Sequence, residues 1–355
     1  MRPRRAGWLA PVWLASAVAC QSIPDREIPS NPIAFTYRTP EEARRRADAW
    51  NDEQKKEIGA ARDARIRAAA DEGLPPNPEL RSSTEQLSDY FSKLLGRTAP
   101  TEEKRAGRLA LLDPATGKVT VIEAARRGSI PLEWSADRTH LLFAQPGDRD
   151  FQIYEYDHER GTVRPITHGP PAHTQACYAS EGRIVVIAFD ANAKPPLSRV
   201  EVSRPGGGGP FEPLTDWGMQ ESPSCAPDGR SVVWDLQNAE GRYELQLRVL
   251  VAGTQTLALA PGRQPRFSAD GAWIVYSAPV GRDWRIWRVR PDGSGRAPIG
   301  GGERNEAGPT MSPDGRFVAY VSTEVPPRMN LYLRRFDGSG DRILFADGDG
   351  ENPVW

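Results

Sequence analysis

The chain has few of the residues that most often announce chemistry. It holds 3 cysteines and 4 histidines in 355 residues. His140, His158, His168 and His173 come without cysteines or carboxylates at metal-ligand spacing, which argues against a metal centre. The run 347–352, "DGDGEN", alternates oxygen-bearing residues but lacks the full loop and distal glutamate of a calcium site. No Gly-x-Ser-x-Gly elbow occurs, so a nucleophilic serine of the α/β-hydrolase kind is not expected. The formal net charge is −1, which gives no basic face for nucleic acid. No apolar run reaches the roughly 20 residues of a membrane-spanning helix. Glycine and proline are abundant instead, at 33 each, a content that suits a protein of many tight turns.

The first twenty residues, "MRPRRAGWLAPVWLASAVAC", open with three arginines, continue through an apolar stretch and end on small residues before Cys20. This is the layout of an export signal over 1–19. The ending "AVAC" resembles a bacterial lipobox, which implies that Cys20 carries lipid and becomes the mature N-terminus. A conventionally cleaved secreted protein and an uncleaved anchor are the alternatives. Gln21 follows where the resemblance associates Asp with inner-membrane retention, so the implied address is the outer membrane, facing the periplasm, with the cell surface as the alternative. Loss of 1–19 brings the formal charge from −1 to −4, because it removes three arginines and no acid. Cys177 and Cys225 then remain in an oxidising compartment. Their places in the repeat differ by one residue, so buried free thiols are expected rather than a disulfide.

Residues 20–38 read as a tether punctuated by Pro24, Pro29 and Pro32. Residues 39–100 read as a helical extension. Thr39 is placed to cap, Pro40 suits the first helical position and Glu42 is placed to return the hydrogen bond. The first helix is expected to run to about Glu72, before Gly73 and two prolines. In a second helix Leu87, Tyr90, Phe91, Leu94 and Leu95 share one face. That stripe either packs on the rest of the protein or binds a groove on another.

From about residue 106 onward the chain repeats. A large landmark residue recurs as Trp134, Tyr178, Cys225, Phe267, Met311 and Trp355, at spacings of 44, 47, 42, 44 and 44. Shortly after each of the first five comes an acid, Asp137, Glu181, Asp228, Asp270 or Asp314, followed in the last four by glycine. An acid beside glycine suits a tight turn, because glycine takes positive φ and the carboxylate accepts nearby backbone N–H groups. Apolar strands such as "IVVIAF" and "FVAYVS" follow the turns. Four short strands per unit, repeated, make an all-β, six-bladed β-propeller with an N-terminal α-helical extension. The hairpin "RLALLDPATGKVTV" supplies two strands of a sixth blade, and the final "ENPVW" supplies its innermost strand. Residues 32–38, "PIAFTYR", resemble the second strand of the repeat and are the candidate for the missing one.

"SPDGRFVAY" followed by "NLYLRRFDGSG", and "SADGAWIVYS" with "RIWRVRPDGSG", resemble the TolB-type propeller repeat over 106–355. The resemblance implies a non-enzymatic, cofactor-free and monomeric binding scaffold of the cell envelope. Its implied partner is an envelope protein or a peptidoglycan-associated lipoprotein, and its membrane contact is the lipid on Cys20. Loops between blades gather at one mouth of a propeller channel, so His173, Met219, Glu221, Asn305, Glu306, Glu351 and Asn352 are the candidate partner-binding residues. The alternative is a propeller that binds or cleaves envelope or external glycans, for which aromatic side chains at the mouth would speak. "SADGAW" resembles the Asp box of sialidases, but the spacing after Asp270 departs from it.

Overall fold

The structure is a computed structural model that describes residues 22–49, 107–148, 150–207, 210–251, 253–281, 283–301, 305–323 and 329–355. Six four-stranded sheets, each antiparallel between neighbours, stand around a central channel. The innermost strand of each blade ends on or next to its landmark: Ile130–Trp134, Ala172–Tyr178, Gln220–Cys225, Arg263–Phe267, Asn305–Met311 and Asp349–Val354.

The last of these belongs to the composite blade. There Asp349–Val354 pairs with Ile33–Arg38, which pairs with Arg108–Leu112, which pairs with Val119–Val121. Ala34 lies opposite Val354, and Phe35 opposite Ala110. The expected strand "PIAFTYR" therefore closes the ring between the two chain ends, and no exposed sheet edge is left at the seam. Ile33, Ala34 and Phe35 are fully enclosed. Among the described residues, only this strand of the propeller comes from before residue 106.

Antiparallel order gives the ring two distinct ends. The acid-glycine turns lie at one, the turn face. The connections between blades, and those from second to third strands, lie at the other, the loop face. At the turn face Asp137, Asp228, Asp270 and Asp314 accept the backbone N–H two residues on, at 2.9 to 3.1 Å. Glu181 differs, lying itself at φ 61°. Gly229, at φ 65°, is needed for close approach: a Cβ there would come within 2.1 Å of the Ser180 nitrogen in the next turn, which donates to the Gly229 carbonyl at 2.9 Å.

The segment before the closing strand is no loose tether. Ile23 and Ile28 are buried in the core shared by blade five and the composite blade, each worth about 1.5–3 kcal/mol of burial. Arg335 pairs with Glu27 at 2.9 Å, Arg316 donates to the Glu27 carbonyl at 2.8 Å, and Arg342 pairs with Asp25. After the closing strand the chain enters a helix over 40–49. Its capping box is formed: Thr39 N donates to Glu42 Oε2 at 2.9 Å, and Glu42 N donates to Thr39 Oγ1 at 3.3 Å. The expected helix end near Glu72 and the Leu87–Leu95 stripe lie outside the described residues.

Cys177 and Cys225 form a disulfide, with Cα atoms 5.5 Å apart, which corrects the expectation of free thiols. The one-residue offset is what lets them meet. Around the channel, the residue before one landmark faces the next blade's landmark. Ser224 Oγ accepts from Phe267 N at 3.1 Å, and Thr310 Oγ1 accepts from Trp355 N at 3.1 Å. The Glu133 carboxylate feels the Tyr178 backbone, which lowers its pKa against burial. Val354 O accepts from Trp134 Nε1 at 3.3 Å. The disulfide occupies this same position between blades two and three. It closes a loop spanning 48 residues of sequence, for which chain entropy gives up to about 4 kcal/mol. Reduction, or the Cys177→Ser/Cys225→Ser variant, is expected to lower stability by about 2–4 kcal/mol in urea titrations.

Candidate functional site

The channel is built from the same position in every blade. Each inner strand shifts register about three residues before its landmark. The residues there, Pro131, Gln175, Ser222, Gln264, Gly308 and Asn352, line a cavity of about 50 Å³. Ser222, Gln264 and Asn352 hold left-handed backbone at φ 54°, 57° and 51°, and Gly308 does so at 59°. In these four units the next residue is Pro223, Pro265, Pro309 or Pro353, which fixes its own φ and offers no N–H to the interrupted ladder. The bulges thereby turn one side-chain position per blade toward the channel. They also free backbone N–H groups, which neighbouring blades satisfy. Gln175 Oε1 accepts from Ser222 N, Gln264 Oε1 from Gly308 N at 2.9 Å, and Asp235 Oδ2 from Gln264 N at 2.7 Å.

One side chain leaves the blade-to-blade pattern. Arg266 stands directly before the landmark Phe267, where other blades reach across to the next landmark, yet it lines the channel. Its guanidinium donates to the Pro223 carbonyl at 3.1 Å and forms no ion pair among the described residues. Burial lowers its pKa, against the pull of Glu133 and Asp235. The channel therefore presents a desolvated cation between walls of amides, a serine hydroxyl and prolines.

Most of the expected mouth residues turn inward. Glu351 is fully buried and pairs with Arg38 at 2.9 Å and with Arg46 of the helix. Burial alone would raise its pKa, but these two arginines outweigh that and hold it below the usual carboxylate range. Arg46 also pairs with Asp349 at 2.7 Å, so the acids of "DGDGEN" at 349 and 351 serve a buried ion cluster. Glu306 is buried against Arg334 at 2.7 Å, and Arg334 is shared with Tyr320 Oη and Asp341. His173 is buried 3.8 Å from Glu201. Asn305 accepts from Trp284 N at 2.9 Å. Glu221 pairs with Arg263 at 3.2 Å. Only Met219 is exposed, at 36%, and only Asn352 lines the channel. These acids lie at the start of inner strands, where they pack against blade neighbours, and the loops proper carry the free surface. Reading the sequence for loops missed Trp217, exposed at 39% with Arg199 over its ring at 4.4 Å. It also missed Arg266, whose position before a landmark was visible in the repeat.

Two further acids are perturbed. Burial, against the pull of Arg266, pushes Glu133 up to about 8, and its Oε2 is enclosed without a partner. Burial, against the pull of Arg263, pushes Asp235 up to about 7. Among the described residues no group of three or more His, Cys, Asp or Glu is arranged to hold a metal ion. Among them too, no helix is long and apolar enough to cross a membrane.

The chain aligns with TolB from Acinetobacter baumannii at a TM-score of 0.59 and 16% identity, over 79% of this chain and 74% of that one. The fold is that of a TolB-type propeller. A second such propeller, a putative TolB from Agrobacterium tumefaciens, aligns at 0.55 and 21% identity over 66% and 87% of the two chains. The same six-bladed ring aligns with hydrazine synthase of Kuenenia stuttgartiensis at 0.57 and 13% identity, over 70% of this chain and 43% of that one. No family model matches the sequence. An uncharacterized protein of Agrobacterium fabrum is 28% identical over 144 residues, so the match covers 37% of this chain and about half (49%) of that relative's length.

Two stability predictions follow from the site. Glu351→Ala would leave Arg38 and Arg46 buried without their shared carboxylate, and is expected to cost about 3–5 kcal/mol in urea unfolding. Glu133 and Asp235 bind more protons folded than unfolded, so stability should fall as pH rises from about 4 to about 8 and level off above. Glu133→Gln should reduce that slope and melt higher than wild type above about pH 8, as calorimetry across pH would show.

Proposed function

We propose that the protein is a non-enzymatic binding scaffold of the bacterial cell envelope, anchored by lipid on Cys20 to the outer membrane and facing the periplasm. It takes its partner at the loop-face mouth and in the channel beneath. The observation that carries this reading is Arg266, a desolvated cation without an ion pair, lining an open channel whose other lining groups are neutral. A lone guanidinium in such walls suits an acidic side chain or chain terminus inserted from a partner, because charge-assisted bonds are strongest where water is excluded. The TolB-type fold supports a protein partner, which by that likeness is an envelope protein or a peptidoglycan-associated lipoprotein. A glycan reading has Trp217 in its favour, but Arg199 already covers one face of that ring.

The test is a photocrosslinking residue at exposed Met219, with a control at Asp228 on the turn face, and captured proteins identified from intact cells. A protein captured from Met219 and not from Asp228, and lost in Arg266→Glu with folding unchanged, is the expected result. Equal capture at both faces, or glycan hydrolysis by the purified protein, would contradict the reading.

A further inference from the structure

Three observations together fix the course of the segment that follows Cys20. The chain from Ile23 to Asn31 crosses blade five from its rim to its axis. Ile23 O accepts from Arg342 on the outer strand Asp341–Phe345 at 3.1 Å. Glu27 meets Arg335 and Arg316 farther in, and Asn31 O accepts from Trp355 Nε1 at 2.9 Å beside the channel. All these arginines lie toward the turn face: Arg316 in the acid-glycine turn, Arg335 at the end of its strand, and Arg342 near the start of the outermost one. Cys20 precedes Ile23 by three residues, and three residues of fully extended chain reach at most about 10–11 Å.

We propose that this docked segment fixes the propeller's orientation on the bilayer, with the turn-face rim of blade five against the lipid headgroups and the loop-face mouth turned away from them. The proposal rests on the reading of Cys20 as lipidated. An acylated cysteine holds its backbone at the headgroup boundary with its chains in the bilayer. A flexible tether would let the domain tumble, since its reach grows with the square root of its length. Here the tie is at most three residues long before the chain is held by two buried isoleucines and by ion pairs to Arg335 and Arg342. The surface brought to the membrane includes Ile343, which points outward from the outer strand at 49% exposure. The occupant of that rim is the bilayer itself. The partner site at the loop face then opens into the compartment, where a second protein can reach it without displacing lipid.

The experiment uses full-length protein matured in a lipoprotein-processing host and reconstituted into vesicles of phosphatidylethanolamine and phosphatidylglycerol that carry a nitroxide headgroup lipid. A fluorophore is placed by Ile343→Cys at the rim of blade five, or by Ala191→Cys, exposed on the loop face of blade two across the ring. The native pair does not react, because it is a disulfide. Quenching several-fold stronger at position 343 than at 191 is expected. A long Gly-Ser spacer inserted between Gln21 and Ser22 should abolish the difference while membrane attachment persists. Equal quenching at the two positions in protein that Cys20→Ser releases from the membrane would overturn the orientation and leave the lipid reading standing. A difference that survives the spacer would show that the docked segment does not set the orientation, and would overturn the proposal. Attachment that persists in Cys20→Ser would overturn the lipid reading and the proposal with it.

Discussion

The contact from each blade to the next blade's landmark, repeated around the channel, is what the rest of the structure depends on. A ring of sheets has no common core, since each blade buries apolar side chains only against its two neighbours, as the six separate core clusters show. Something must set the angle between successive blades. Hydrogen bonds at Ser224 and Thr310, the Trp134–Val354 bond and the disulfide do so at four junctions, and at a fifth the Tyr178 backbone acts on the Glu133 carboxylate, always between one residue before a landmark and the next landmark. The sixth junction, at Arg266, is the exception, and there the side chain lines the channel. A position released from the structural pattern is where a site on a rigid scaffold is free to form.

Closure of the ring divides its two faces by role. The strand Ile33–Arg38 enters at the turn face, with the docked N-terminal segment before it, and leaves at the loop face into the helix over 40–49. Arg46 from that helix joins Asp349 and Glu351, while Glu42 meets Arg108 and Arg127. The helix over 40–49 is thus fastened to the composite blade and to the connection leading into blade one. The docked N-terminal segment and the helix over 40–49 lie at opposite faces of the ring.

The architecture was legible in the sequence because it is periodic. Landmark spacing, acid-glycine turns and the strand-like "PIAFTYR" each carry a local physical signal, and together they gave the blade count, the seam and the capping box at Thr39. Legibility failed where an assignment needed the relative rotation of two blades. Cys177 and Cys225 looked mismatched because the one-residue stagger around the channel appears only in three dimensions. Glu306 and Glu351 looked like loop acids, although each begins an inner strand facing a buried arginine. The segment 22–31 looked like a linker because its prolines are visible, while the docking of two isolated isoleucines is not.

The central claim, that a stagger of contacts sets the ring and that Arg266 is exempt from it, is tested most directly by comparing Ser224→Ala, Thr310→Ala and Arg266→Ala in equilibrium urea unfolding. The account predicts that each of the first two costs about 1–3 kcal/mol, because a buried backbone N–H loses its acceptor, while Arg266→Ala leaves stability unchanged or raises it by removing a desolvated charge. A loss at Arg266→Ala as large as at the other two positions would contradict it.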